Sequence, residues 1–190
     1  MNQVHPLQVA AWFVAVVGGL IAAGIALWQA AQNHQQREKD LRWKQAAAGR
    51  DLVDEMLDDE GASVALDMLD SDEREYELDD GASATITAEQ VLAALKLPPK
   101  SDADDCVYVR ECFDALFYYF ARFEHFLKTG LVTFEDVREP AEYYVEYLAE
   151  DKPLYLKYVE VARFRSVPEF LDRFPSWRDA APVSSSSGRR

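Results

Sequence analysis

The chain has 190 residues, of which 34 are Asp or Glu and 20 are Lys or Arg, for a net charge of −14 at pH 7. A surface this acidic repels phosphate backbones, so sequence-independent nucleic-acid binding is disfavoured and no nucleic acid is expected as a partner. The two cysteines, Cys106 and Cys112, lack metal-ligand or redox spacing and read as reduced, buried small hydrophobes.

Residues 7–31, LQVAAWFVAVVGGLIAAGIALWQAA, hold no charge. At about 1.5 Å per residue, Val9 to Ala31 covers roughly 33 Å as a helix, against a hydrocarbon core of about 30 Å. The expectation is a transmembrane helix over 7–31 after a short extracytoplasmic N-terminus, 1–6. A cleaved signal peptide is disfavoured, because residues 1–6 carry no Lys or Arg and the apolar run is too long. Basic residues follow the run at Arg37, Lys39, Arg42, Lys44 and Arg50, which predicts the N-terminus outside and the rest of the chain cytoplasmic. Trp12 and Trp28 suit the two membrane interfaces, with Arg37, Lys39, Arg42 and Lys44 as further interface markers. Small residues recur every four positions on two ridges, through Ala15, Gly19 and Ala23 and through Gly18 and Ala22. Such ridges let helices approach closely, so a homo-oligomer packed through them is expected, with membrane lipid around it.

Residues 32–60 contain no Pro and read as a helical juxtamembrane stalk with a weak stripe at Leu41, Ala48, Leu52 and Met56. The acidic run Asp54–Glu60 reads as a solvated helix end, and Gly61 as a helix stop. The soluble domain is then expected over 61–178. Ser63 to Leu69 predicts a short helix. Tyr76, Leu78, Ala84 and Ile86 flank Asp79-Asp80-Gly81 and give either a small hairpin or a loop. Thr87-Ala88-Glu89-Gln90 fits a capping box, and Pro98-Pro99 ends the helix it starts.

The longest soluble helix is predicted from about Asp102 to Thr129, closed by Gly130. Val109, Cys112, Phe113, Leu116, Phe117, Phe120, Phe123, Phe126 and Leu127 recur at helical spacing and identify it as the core helix. Thr133-Phe134-Glu135-Asp136 predicts a short helix, Pro140 opens another and Pro153 a third. Ser166-Val167-Pro168-Glu169 caps a last one, and 179–190 reads as a disordered tail. Short connections imply antiparallel neighbours, hence a bundle.

No phosphate loop, metalloprotease motif, nucleophile elbow or Cys–His pairing is present. Glu124 and His125, within the aromatic helix, are the only candidates for acid–base chemistry. Asp67, Asp70, Asp72, Glu73, Glu75, Asp79 and Asp80 form an acidic loop without the calcium-loop spacing. No cofactor and no metal are expected. Tyr118, Tyr119, Tyr143, Tyr144, Tyr147, Tyr155 and Tyr158 are dense, and any exposed subset favours a protein interface.

Residues 113–124, FDALFYYFARFE, followed by Lys128-Thr129-Gly130-Leu131-Val132 and Phe134-Glu135-Asp136-Val137, resemble a family of small bacterial membrane-anchored helical proteins carrying a domain of unknown function. The resemblance spans about 100–150. It implies a helical fold and a bacterial inner membrane, and it carries over no activity and no catalytic residue.

The sequence therefore predicts a mainly α protein: one transmembrane helix continuing into a stalk, then a compact cytoplasmic helical bundle. The function expected is a protein-interaction or scaffold module at the cytoplasmic membrane face. The alternatives are a membrane-tethered hydrolase using Glu124 and His125 with the acidic loop, or a membrane-acting effector or immunity component that oligomerises through its anchor.

Overall fold

The computed structural model describes residues 6–78, 81–96 and 103–180; of 6–18 and 20–23 it describes the backbone alone. Two compact units divide the chain, Met1–Lys44 and Gln45–Arg190.

The first unit is made by helix α1, Pro6–Asp58, as far as Lys44. Every described side chain from Gly24 to Lys44 is exposed, Trp28, Arg37, Lys39, Arg42 and Lys44 among them. No helix among the described residues is long and apolar enough to cross a membrane, which overturns the expected transmembrane helix. The described apolar side chains stop at Ala31. Gln32, Asn33, His34, Gln35, Gln36 and Arg37 follow at once. The inside–outside orientation expected for that span accordingly has no described span to rest on. Trp12, Ala15, Gly18, Ala22 and Ala23 lie outside the described side chains. Gly19 has nothing within 4 Å of where a Cβ would stand.

The second unit begins inside the expected stalk. Leu52 and Met56 of α1 are buried in the core and Ala48 packs against it, whereas Leu41, the fourth member of that stripe, is exposed. The residues 45–58 are thus part of the fold. Helix α2, Glu60–Asp70, starts two residues after α1 ends, with the Asp59 carboxylate accepting the Ala62 N–H at 2.9 Å. Gly61 lies inside α2 and is not the stop expected. A Cβ there would stand 3.0 Å from Ala115 Cβ, so the missing side chain lets α2 lie close on the core helix.

The 76–86 segment is a hairpin. Strand β1, Glu73–Glu77, pairs antiparallel with β2, Ser83–Thr87, with Tyr76 opposite Ala84 and Arg74 opposite Ile86. Gly81 takes φ +81°, a left-handed conformation that costs glycine little. Two strands alone are marginal in water. Here Tyr76 and Ile86 are both buried in the helical core, and the Tyr76 hydroxyl donates to Asp67 of α2 at 2.8 Å.

Helix α3, Ala88–Ala94, starts at the expected capping box: Thr87 accepts from the Gln90 N–H, and the Gln90 side chain accepts from the Thr87 N–H at 2.8 Å. Helix α4, Asp104–Thr129, is the core helix foreseen. Phe113, Leu116, Phe117, Phe120 and Phe123 are completely buried, Cys112 is buried and Cys106 half-buried. Gly130, at φ +71°, closes α4: its N–H meets the Leu127 carbonyl, and the Leu131 N–H reaches Phe126 at 3.0 Å.

Where two short helices were expected around Pro140, one helix, α5, Phe134–Glu150, runs through it. The Thr133–Asp136 capping box starts this helix, and Pro140 merely has no N–H to give the Asp136 carbonyl. Helix α6, Lys152–Val161, α7, Val167–Leu171, and α8, Pro175–Asp179, complete the described chain. The last was not expected, and it buries Trp177 completely. Aromatic rings link these pieces to α4: Phe170 lies 5.1 Å from Phe120 and 5.4 Å from Phe123, and Phe174 lies 5.1 Å from Phe134. Described residues thus form a mainly helical bundle with one hairpin.

Candidate functional site

Glu124 and His125 do not come together. Glu124 is completely buried, and both its oxygens are taken by Arg173, with Nε 2.7 Å from Oε2 and Nη2 2.8 Å from Oε1. The carboxylate in turn raises the Arg173 pKa, first through these hydrogen bonds. Lys128 stands 3.8 Å from the same carboxylate and also pairs with Glu169. His125, one residue on, is exposed. A general base needs a free lone pair pointing at a substrate. Glu124 has neither access nor a spare oxygen, and its role is to pin Arg173 beside α7 to the core helix.

A second carboxyl, Asp114, is half-buried: burial raises its pKa, against the hydrogen bond from Tyr158 at 2.8 Å and the Arg110 charge. Within the acidic loop, Asp67 pairs with Arg74 and Tyr76, and Asp70 accepts from Tyr143 and Tyr147, while Asp79 and Asp80 lie outside the described residues. Among the described residues no three His, Cys, Asp or Glu side chains converge as metal ligands.

What the fold does assemble is a carboxylate groove along the C-terminal turns of α1. Asp51, Asp54, Glu55, Asp58, Asp59 and Tyr119 line a recess of about 490 Å³. Its position follows from helical spacing. Leu52, Val53 and Met56 face the core, so the acidic residues between them must face outward. Two members are engaged. Glu55 accepts both guanidinium nitrogens of Arg122, at 2.7 and 2.9 Å, and this bond holds its carboxyl below the usual range. Asp59 caps α2 and accepts the Tyr119 hydroxyl at 3.5 Å. Burial first, and then the Asp59 and Glu55 charges, raise the Tyr119 pKa, so its proton stays on.

Asp51, Asp54 and Asp58 are exposed, and among the described residues no hydrogen bond or ion pair engages their side chains. Beside them Arg122 lies over the rings of Tyr119, at 5.3 Å, and Tyr118, at 5.7 Å. Tyr118 is 55% exposed, which makes it and Tyr143 the open members of a tyrosine set whose Tyr119, Tyr155 and Tyr158 are core residues. The sequence signal for this groove was present in the acidic run, but its floor, Tyr119, and the cation beside it, Arg122, come from α4, sixty or more residues away.

No protein-family model, no curated protein and no solved structure matches the chain.

Proposed function

We propose that the second unit is a protein-interaction module whose contact surface is the carboxylate groove of α1 with the exposed Tyr118 beside it. The observation that carries this reading is the set Asp51, Asp54 and Asp58, with no partner in the described chain. Like charges three and four residues apart on one helix repel, costing about 0.2–0.5 kcal/mol per pair. A cationic partner segment turns that repulsion into attraction, and the face of Tyr118 offers the rigid aromatic area that protein interfaces favour. Segments rich in Lys or Arg fit this surface, and acidic segments are repelled.

The test is a photoreactive residue placed at Tyr118 in the full chain at native expression. A discrete adduct is expected, and it should be lost in Asp54→Asn/Asp58→Asn, a pair of exposed substitutions that leave the fold intact. If no adduct forms, the reading fails.

A further inference from the structure

Helix α6 ends in the same hydrogen-bonded arrangement as α4. The Arg163 N–H meets the Glu160 carbonyl at 3.2 Å, and the Phe164 N–H reaches back to Val159 at 2.9 Å. In α4 the left-handed position of this motif holds Gly130; in α6 it holds Arg163, at φ +66°. A residue with a Cβ pays for that backbone conformation, and the favourable charge of an arginine at a helix C-terminus offsets only part of the strain. Within the single chain the guanidinium gives nothing back. Among the described residues neither Arg163 nor Arg165 makes a side-chain hydrogen bond or ion pair, and both are exposed. Between them Phe164 is anchored on the core, 6.1 Å from Phe117. Together with Val159, Glu160 and Pro168 these residues border a recess of about 600 Å³.

A rigid turn thus carries two uncommitted cations, and α1 carries three uncommitted carboxylates. The two surfaces share no lining residue and, among the described residues, no ion pair joins them, although both belong to one folded unit. Asp54 and Asp58 are about 6 Å apart along the helix, a repeat that two long arginine side chains can bracket. We propose that the Arg163-Phe164-Arg165 turn of one copy docks on the Asp51, Asp54 and Asp58 face of another, giving a head-to-tail homo-oligomer. This rests on the reading of the carboxylate groove as a contact surface and names its partner as a second copy of this chain. The strain at Arg163 is then offset in the assembly. The net charge of −14 works against association at low salt, but near physiological ionic strength charges beyond about 8 Å are screened and the short-range pairs decide. Because the contact joins unlike surfaces, it propagates until it closes into a ring or continues as a filament.

The experiment uses two full-length variants in a mild detergent, which occupies the exposed apolar stretch Gly24–Ala31. Arg163→Gln/Arg165→Gln removes the turn, and Asp54→Asn/Asp58→Asn removes its seat. Sedimentation velocity is expected to show association of the unaltered chain weakened about tenfold or more in each variant alone. Mixing the two variants, labelled with different dyes, should give a one-to-one complex that grows no further, since one intact turn meets one intact seat. An unaltered chain that stays monomeric at its highest soluble concentration overturns the proposal, as does an association that neither variant weakens. The same applies to a mixture that forms no one-to-one complex. The Tyr118 adduct separates this outcome from the broader reading: an adduct only with a different protein overturns the self-docking and keeps the interaction module, whereas no adduct removes both.

Discussion

Glu124 and His125 are adjacent in sequence, yet a helix turns by about 100° per residue, so neighbours face different surroundings. Glu124 turns to the core and meets Arg173; His125 turns to water. Removing one partner of a buried ion pair typically costs about 3–5 kcal/mol, and here the lower end applies because Arg173 retains some access to solvent. Glu124→Ala is therefore expected to lower unfolding free energy by about 3 kcal/mol, and His125→Ala by no more than about 0.5 kcal/mol. Urea denaturation of both variants checks this, and equal losses would contradict the opposed placement. The acidic residue was visible in the sequence as a polar interruption of an aromatic stripe. Its partner was not, because Arg173 lies 49 residues further on in a segment with no pattern pointing back.

At the scale of elements, Gly49 shows how a single atom's absence places a helix. It is buried inside α1, where glycine costs roughly 1 kcal/mol relative to alanine. A Cβ at that position would stand 2.6 Å from Asp136 Cβ and 3.4 Å from the Asp136 carbonyl, in the first turn of α5. Gly49→Ala must push α5 away, and overpacking of this kind costs about 1–3 kcal/mol. A thermal midpoint lowered in Gly49→Ala, with Ala46→Gly at an exposed position of the same helix as the control for helix propensity, measures it. Elements with strong local signals were legible: the Thr87–Gln90 capping box, the aromatic repeat of α4 and the glycine stop at Gly130 all stand where the sequence puts them. Two errors come from local rules: Gly61 was read as a stop but lies where α2 approaches Ala115, and Pro140 was read as a start but lies inside a helix already begun at the Thr133–Asp136 capping box.

For the whole molecule, the boundary that matters falls within α1 and not at its end. The chain after Lys44 forms its own compact unit, and that unit takes Leu52 and Met56 from the helix. A chain starting at Gln45 is expected to unfold cooperatively with the thermal midpoint of the full chain. One starting at Gly61 loses both side chains, at about 2–5 kcal/mol each, from a total stability of about 5–15 kcal/mol, and is expected to show no cooperative transition. Circular dichroism melts of the two truncations test this. The apolar run was the most conspicuous stretch of the sequence and the one most overread: length and hydropathy suggested a bilayer span, but no described helix meets the requirement. The carboxylate groove, in contrast, was underread as a solvated helix end, because nothing in residues 51–59 reveals that Tyr119 and Arg122 lie against them.

The side chain of Gln45 donates to the carbonyl of Gly130 across 85 residues of sequence, and Gly49 meets α5 later still. A ribosome adds about 5–20 residues per second, so the core face of α1 waits roughly 4–17 s for its partners to be made. During that interval Gln45 and Gly49 lack the groups they meet in the finished fold. This helix is made well before partners that it meets in the finished fold, and the order of translation, as much as the energy of that fold, sets when this protein is most exposed to aggregation and proteolysis.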